Sequence, residues 1–260
     1  MIDIFVDKVS VLGLTKHETK IKTYFDSIFH KEQLNYCFKP GVGANSNDGQ
    51  MTSSLWSILN HNTVDRVSKD IFQNHIEMIR NAYMDPTVKY LLMLEDDARF
   101  PEWDQTKWDE IQTWLVSNTT QWDIFYMGYC NWPCLWSIFM TRYIVKVASP
   151  LATHSYILNR RGMYKILSWL DKNPSCSKLH IDKYFLQIPH FQKLAAFPMV
   201  SFQETCPGLY LKACDKLKVR VLFSTCCKWN ERVSVLVPII FVFLFVFLLL
   251  YTVNKQFIKK

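Results

Sequence analysis

The 260-residue sequence has eight cysteines but lacks any CxxC pair and any Cys/His spacing suited to zinc. A zinc-stapled scaffold is therefore excluded, and free thiols are the simplest expectation for a chain facing the cytosol. The opening stretch, MIDIFVDKVSVLG, has neither the basic start nor the long apolar run of a secretory signal peptide. Internal repeats and low-complexity linkers are also missing, which excludes a solenoid. Residues 1–206 carry no surplus of either charge, since 21 basic residues stand against 21 acidic ones. The basic footprint of a nucleic-acid binder is absent from them, and no nucleic-acid partner is expected.

Charge is missing in a second way from Val233 to Val253, VSVLVPIIFVFLFVFLLLYTV, where 21 residues pass without a single charge. About 20 apolar residues span a hydrocarbon core of ~30 Å, so a single transmembrane helix is expected there. The whole net charge of +7 falls in residues 207–260, with nine Lys or Arg against two acidic residues. Lys212, Lys216, Lys218, Arg220, Lys228 and Arg232 precede the span, and Lys255, Lys259 and Lys260 follow it. The heavier basic flank predicts a cytosolic domain lying against an anionic membrane surface, held by a single-pass C-terminal anchor. The expected division is a domain over 1–206, a basic juxtamembrane segment over 207–232, the span over 233–253 and a short basic tail over 254–260. Cys226 and Cys227, just before the span, suit either palmitoylation or inert thiols. The Asn118-Thr119-Thr120 sequon would go unused in the cytosol.

Within 1–206, apolar residues at 64, 67, 71, 78, 79 and 82 recur at helical spacing, ending before Pro86. Trp108, Ile111, Trp114 and Leu115 mark a second amphipathic helix. Strands are expected over 2–12, 89–94, 124–127, 143–147, 155–158 and 197–202, with a loop over 41–49. Asn159 is placed to cap a helix running from Arg160 to about Leu170. Strands and helices alternate, which predicts an α/β sheet domain whose ligands gather at the carboxyl ends of the strands.

The stretch LLMLEDDARF, residues 91–100, sets three adjacent carboxylates at such an end. If strand alternation persists, Glu95 and Asp97 share one side and Asp96 turns away. Two carboxylates at that spacing form a half-cage for Mg²⁺ or Mn²⁺, completed by water and substrate phosphate. A nuclease or phosphatase could use the same device, and so could a solvated loop.

YLLMLEDDARF resembles the apolar strand and acidic motif of glycosyltransferase family 25, which includes lipooligosaccharide galactosyltransferases and collagen galactosyltransferase domains. FQNHIEMIRNAY, with His75, is similar to the family's preceding helix. WDIFYMGY, THSYILNRRGMYKIL, HIDKYF and FPMVSFQE follow in the family's order, so the resemblance covers most of residues 2–206. It implies a single GT-A-type, Rossmann-like domain binding a nucleotide sugar and a divalent metal, Mn²⁺ or Mg²⁺. It implies transfer of a hexose, galactose or glucose, from a UDP-sugar to a glycan or protein acceptor with inversion. It assigns metal and diphosphate to Glu95 and Asp97, with Asp96 open. Asn74 stands where the family usually has Ser, and the cysteine-bearing loop 130–140 and the C-terminal span also depart from the family.

An inverting transfer needs a carboxylate to deprotonate the acceptor. Asp182, within HIDKYF, is the first candidate and Glu204 the second; a helix cap is the structural alternative for Asp182. His180 is a further candidate for metal or phosphate. Arg160 and Arg161, at a helix start, are candidates for diphosphate oxygens, or a solvated pair. The aromatic region from Trp122 to Trp136 suits sugar stacking or core packing. A degenerate transferase fold acting as a membrane-tethered interaction module and a metal-dependent phosphohydrolase stand as alternatives.

Overall fold

The computed structural model describes residues 2–39, 66–100, 103–131 and 137–203. Glu204, Cys226, Cys227 and the 233–253 segment lie outside the described residues, as does the 41–49 loop.

Eight strands form one mixed sheet. In chain order these are β1 (Lys8–Leu14), β2 (Leu34–Lys39), β3 (Tyr90–Glu95), β5 (Ile124–Tyr126), β7 (Ser137–Phe139), β8 (Ile144–Val147), β10 (Ser155–Asn159) and β11 (Lys193–Ala196). They lie side by side in the order β2-β1-β3-β10-β5-β11-β8-β7. β1 runs parallel to both β2 and β3, and β5 runs parallel to β11, while β10 lies antiparallel between β3 and β5. Four two-residue strands make small additional pairs: β4 (Ala98–Arg99) with β12 (Phe202–Gln203), and β6 (Cys130–Asn131) with β9 (Pro150–Leu151).

Helices cover both faces, as a sheet with a large parallel share requires. α1 (Glu18–Ile28) and α3 (Gln105–Ser117) pack on one face, where Phe25, Trp108 and Ile111 meet Val11, Leu92 and Leu94. α2 (Arg66–Met84), α4 (Arg160–Lys172) and α5 (Ile181–Gln187) pack on the other, where Ile79, Ile166 and Phe185 meet Leu91, Met93 and Tyr156. The strict alternation along YLLMLE sends Leu91 and Met93 to one core and Leu92 and Leu94 to the other. The expected α/β class is the class observed.

Several local readings hold for stated reasons. The Asn159 side chain accepts a hydrogen bond from Gly162 N at 2.8 Å, so it caps α4 as its position implied. Others do not. The first strand begins at Lys8, α1 and β2 follow where no element was expected, and the last long strand is Lys193–Ala196. Of the expected strand over 197–202, only Phe202 pairs, and it does so with β4. Among the described residues, no helix is long and apolar enough to cross a membrane.

Candidate active site at the carboxyl ends of the central strands

The chain leaves β1, builds β2 on one side of it, and then returns through α2 to place β3 on the other side. β1 is therefore the point where strand order reverses, and the crevice at the carboxyl ends of β1 and β3 is where open α/β sheets bind ligands. The register pairs Leu12 with Glu95, which sets Gly13 and Leu14 beside the Glu95–Asp97 turn. Glycine suits this close approach. A Cβ at position 13 would lie 2.7 Å from Ile21 Cδ1 and 3.2 Å from Asp96 Cβ.

The three carboxylates do not behave alike. Glu95 continues the β3 alternation onto the α2 face, where His75 lies on the same buried stripe as Phe72, Ile76 and Ile79. The Tyr156 hydroxyl and His75 Nδ1 are 2.7 Å apart. His75 Nε2 stands 3.3 Å from Glu95 Oε1, an ion-pair distance without the alignment of a full hydrogen bond. Thr153 Oγ1 donates to the same oxygen at 2.8 Å. Burial pushes Glu95 up, but the His75 ring and the Thr153 hydroxyl outweigh it and hold the carboxyl below its ordinary value.

Asp96 leaves the strand in a turn and meets the end of β1, where the Leu14 amide hydrogen-bonds its carboxylate. Burial, with the Glu95 charge adding to it, outweighs that hydrogen bond and raises Asp96 above its ordinary value. Arg99 closes the turn by donating to the Asp96 and Ala98 carbonyl oxygens at 2.9 and 2.8 Å. Strand geometry thus stops at Glu95, so the condition under which Glu95 and Asp97 would share one side is not met. Glu95 is anchored inward, and Asp96 faces the crevice at Gly13.

Among the described residues, no three His, Cys, Asp or Glu side chains converge on one metal position. The acidic turn does not fit a closed protein cage. It does fit a cation held by one or two carboxylates and completed by phosphate oxygens and water, the usual arrangement for Mg²⁺. The raised Asp96, crowded by a neighbouring negative charge, is the kind of group that a cation would relieve.

The floor beyond Glu95 is buried and polar. His154, only 5% exposed, sits near the Ser201 carbonyl without a hydrogen bond of normal geometry at either ring nitrogen. Burial holds its pKa below the ordinary value, against the pull of Glu95. Gly128 lets these groups close in, since a Cβ there would stand 2.2 Å from Ser201 O and 2.4 Å from His154 Nε2. Tyr126 is fully buried, its hydroxyl has no partner among the described residues, and burial and then the Asp182 charge push its pKa up. Asp182 therefore lies on the α2 face close to Tyr126, whose neighbour Tyr156 reaches His75 and through it Glu95.

Asp182 is not the N-cap residue of its helix, although it lies in the first turn and satisfies one of its free amides. His180 holds the cap position of α5 without a side-chain cap, and the Asp182 carboxylate accepts from the adjacent Lys183 N, at 2.7 Å. Among the described residues, His180 is not joined to the acidic turn in any group that could hold a metal.

Arg160 and Arg161, candidates for diphosphate or for a solvated pair, are placed away from the acidic turn. Asn159 pairs with Tyr90, at the start of β3, so Arg160 and Arg161 lie at the opposite end of the sheet from Glu95. Arg160 closes the end of α2 by donating to the carbonyls of Tyr83, Asp85 and Val88 at 2.9–3.0 Å. Arg161 donates to Asp123 Oδ1 at 2.6 Å and to the carbonyls of Thr120 and Trp122. Both are structural in their hydrogen bonds, and neither reaches the crevice. Trp122 is likewise fully buried, donating to Leu115 O at 2.9 Å, so it packs the core and offers no face to a sugar.

Thr153, His154, Tyr126 and Gly13 were not singled out from the sequence. Gly13 ends an apolar run and carried a signal. The others meet Glu95 or one another only across strands, a relation that linear spacing does not encode.

No family profile matches the sequence, and no curated protein matches it. The family-25 resemblance thus rests on the quoted segments. Among solved structures the chain is similar to a protein from STIV, at 10% identity and TM-score 0.40, covering 77% of this chain and 96% of that one. It is similar to a glycosyltransferase involved in the glycosylation of the major capsid of PBCV-1, at 11% identity and TM-score 0.37, covering 72% and 81%. It is also similar to apo-UDP-glucose pyrophosphorylase, at 9% identity and TM-score 0.33, covering 73% and 72%.

Proposed function

We propose that the protein is a membrane-anchored, metal-dependent glycosyltransferase that moves a hexose from a UDP-sugar to a hydroxyl of a glycan or protein acceptor. The observation that carries this reading is the acidic turn at the switch point of the sheet, packed against Gly13 at the end of β1. A diphosphate cannot approach such a turn unless a cation lies between them. Asp96 and Asp97 would hold Mn²⁺ or Mg²⁺, while Glu95 stays anchored to His75 and Thr153. When bound, the ion supplies positive charge where the departing UDP becomes more negative.

Asp182 is the base in this reading. It takes the proton of the acceptor hydroxyl as the new sugar–oxygen bond forms and the sugar–phosphate bond breaks, which inverts the anomeric carbon. Its place near Tyr126, on the face that carries Glu95, supports the assignment. Glu204 remains the second candidate. The 233–253 segment anchors the chain with its large domain in the cytosol, and protease added to sealed microsomes should digest that domain. Protection of the domain would reverse the topology.

The test is UDP release by the full chain in detergent, from a series of UDP-hexoses with and without Mn²⁺. Asp182→Asn should abolish transfer while UDP and Mn²⁺ binding persist, and should leave the melting temperature close to wild type because an Asn side-chain oxygen can still accept from Lys183 N. No Mn²⁺-dependent UDP release from any UDP-hexose would sink the transferase reading, and phosphate release from substrates without a sugar would replace it with phosphohydrolysis.

A further inference from the structure

At the amino ends of β5 and β11, the end of the sheet away from the acidic turn, lies an open pocket of about 440 Å³. Lys146, Arg161, Lys165 and His190 line it, with the Gln192 amide beside them and Met140 on its apolar side. No acidic side chain lines it among the described residues. Asp123, fully buried beneath, takes Arg161 Nε at 2.6 Å and Lys165 Nζ at 2.8 Å. One carboxylate thus faces two cations whose side chains are 36% and 27% exposed, so their remaining field reaches the pocket. Lys146 is exposed and has no acidic partner among the described residues. Lys193, beside the pocket on β11 and not among its lining residues, is held below its ordinary value by burial and by the like charge of Lys146, against the pull of Asp123. Positive groups are therefore crowded here without enough negative charge to match them.

A concave site with surplus positive charge and amide donors concentrates anions. Its volume falls in the range of small-molecule sites, roughly 300–1,000 Å³, and leaves room for an organic body as well as a phosphate. We propose that this pocket binds a phosphate-bearing organic anion, with Lys146 as its principal free contact and Met140 against the organic part. The site is separate from the acidic turn and does not depend on how that turn is read. A soluble phosphate ester and a lipid headgroup share this chemistry.

The experiment titrates the full chain in detergent with inorganic pyrophosphate in EDTA, so that no metal bridges the anion to the acidic turn. Saturable binding that weakens with salt is expected. Lys146→Glu, on an exposed and unpaired side chain, should weaken it at least about tenfold, while Asp96→Asn should not weaken it. Vesicles of phosphatidylcholine with and without phosphatidic acid separate the sources. Competition between pyrophosphate and phosphatidic acid vesicles, lost in Lys146→Glu, identifies a lipid headgroup. Pyrophosphate binding with equal retention on both vesicles identifies a soluble ligand. Absence of Lys146-dependent binding to either probe overturns the proposal.

Discussion

Glu95 and Asp96 are chain neighbours whose carboxyls move in opposite directions, one lowered by His75 and Thr153, the other raised by burial. The raised group costs stability at neutral pH, because its folded pKa exceeds its unfolded one and the fold disfavours the charged form. Asp96→Asn should therefore raise the melting temperature at pH 7 while reducing Mn²⁺-dependent transfer on the order of 10²-fold or more, the scale of a lost transition-state charge stabiliser. Stability and activity falling together would mean that the carboxylate is structural. His154 carries the opposite sign. Its folded pKa is depressed, so the unfolded chain binds the extra proton, and stability falls as pH drops through the ordinary value of 6.5. The melting temperature should decline between pH values of about 7.5 and 5.5, and His154→Gln should flatten that slope. An unchanged slope in the variant would assign the decline to other groups.

Elements explain why those residues meet. β3, β5 and β10 were legible because buried strands are apolar without interruption, and α2 because its apolar residues recur at helical spacing. α1 buries only Ile21 and Phe25, and β2 is a mixed edge strand with half-buried residues, so neither left a strong pattern. The acidic turn was legible as chemistry, but its geometry was not. Alternation predicts Asp97 beside Glu95 only while the strand continues, and it ends at Glu95. Gly128 stands where two such elements come together, at the end of β5 against the segment that enters β12. Gly128→Ala would place a methyl 2.2 Å from the Ser201 carbonyl, and backbone cannot give way as a flexible side chain does. The expected loss is about 2–3 kcal/mol, the scale of an overpacked core. Chemical denaturation measures it, and a midpoint equal to wild type would show that the β12 segment is free to move. Gly13→Ala meets mainly the flexible tip of Ile21 and should cost less stability.

At the scale of the whole molecule, one sheet serves two cores and two ends. The arginines at 160 and 161 are candidate ligands from the sequence because a helix start attracts anions, with a solvated pair as the alternative; only the register shows that this start faces the end opposite Glu95. What they do instead is hold the sheet's lower end. Asp123 is fully buried, pairs with Arg161 and Lys165, and accepts from Gln192 N at 2.7 Å, which ties β5, α4 and the entry to β11 together. Removing a buried partner strands the charges that it neutralised, a loss of roughly 3–5 kcal/mol in fully buried cases. Arg161 and Lys165 retain some access to solvent, so Asp123→Ala should lose about 2–3 kcal/mol, at or below the bottom of that range. Both helical layers rest on the same strands, so the loss should appear as an earlier single transition by tryptophan fluorescence and circular dichroism alike. The acidic turn lies roughly 15 Å away along the strands, at about 3.3 Å per residue, so turnover per folded molecule should stay near wild type. Two separate transitions, or a loss of turnover at temperatures where the fold is intact, would show that the two ends of the sheet are coupled more closely than its connectivity implies.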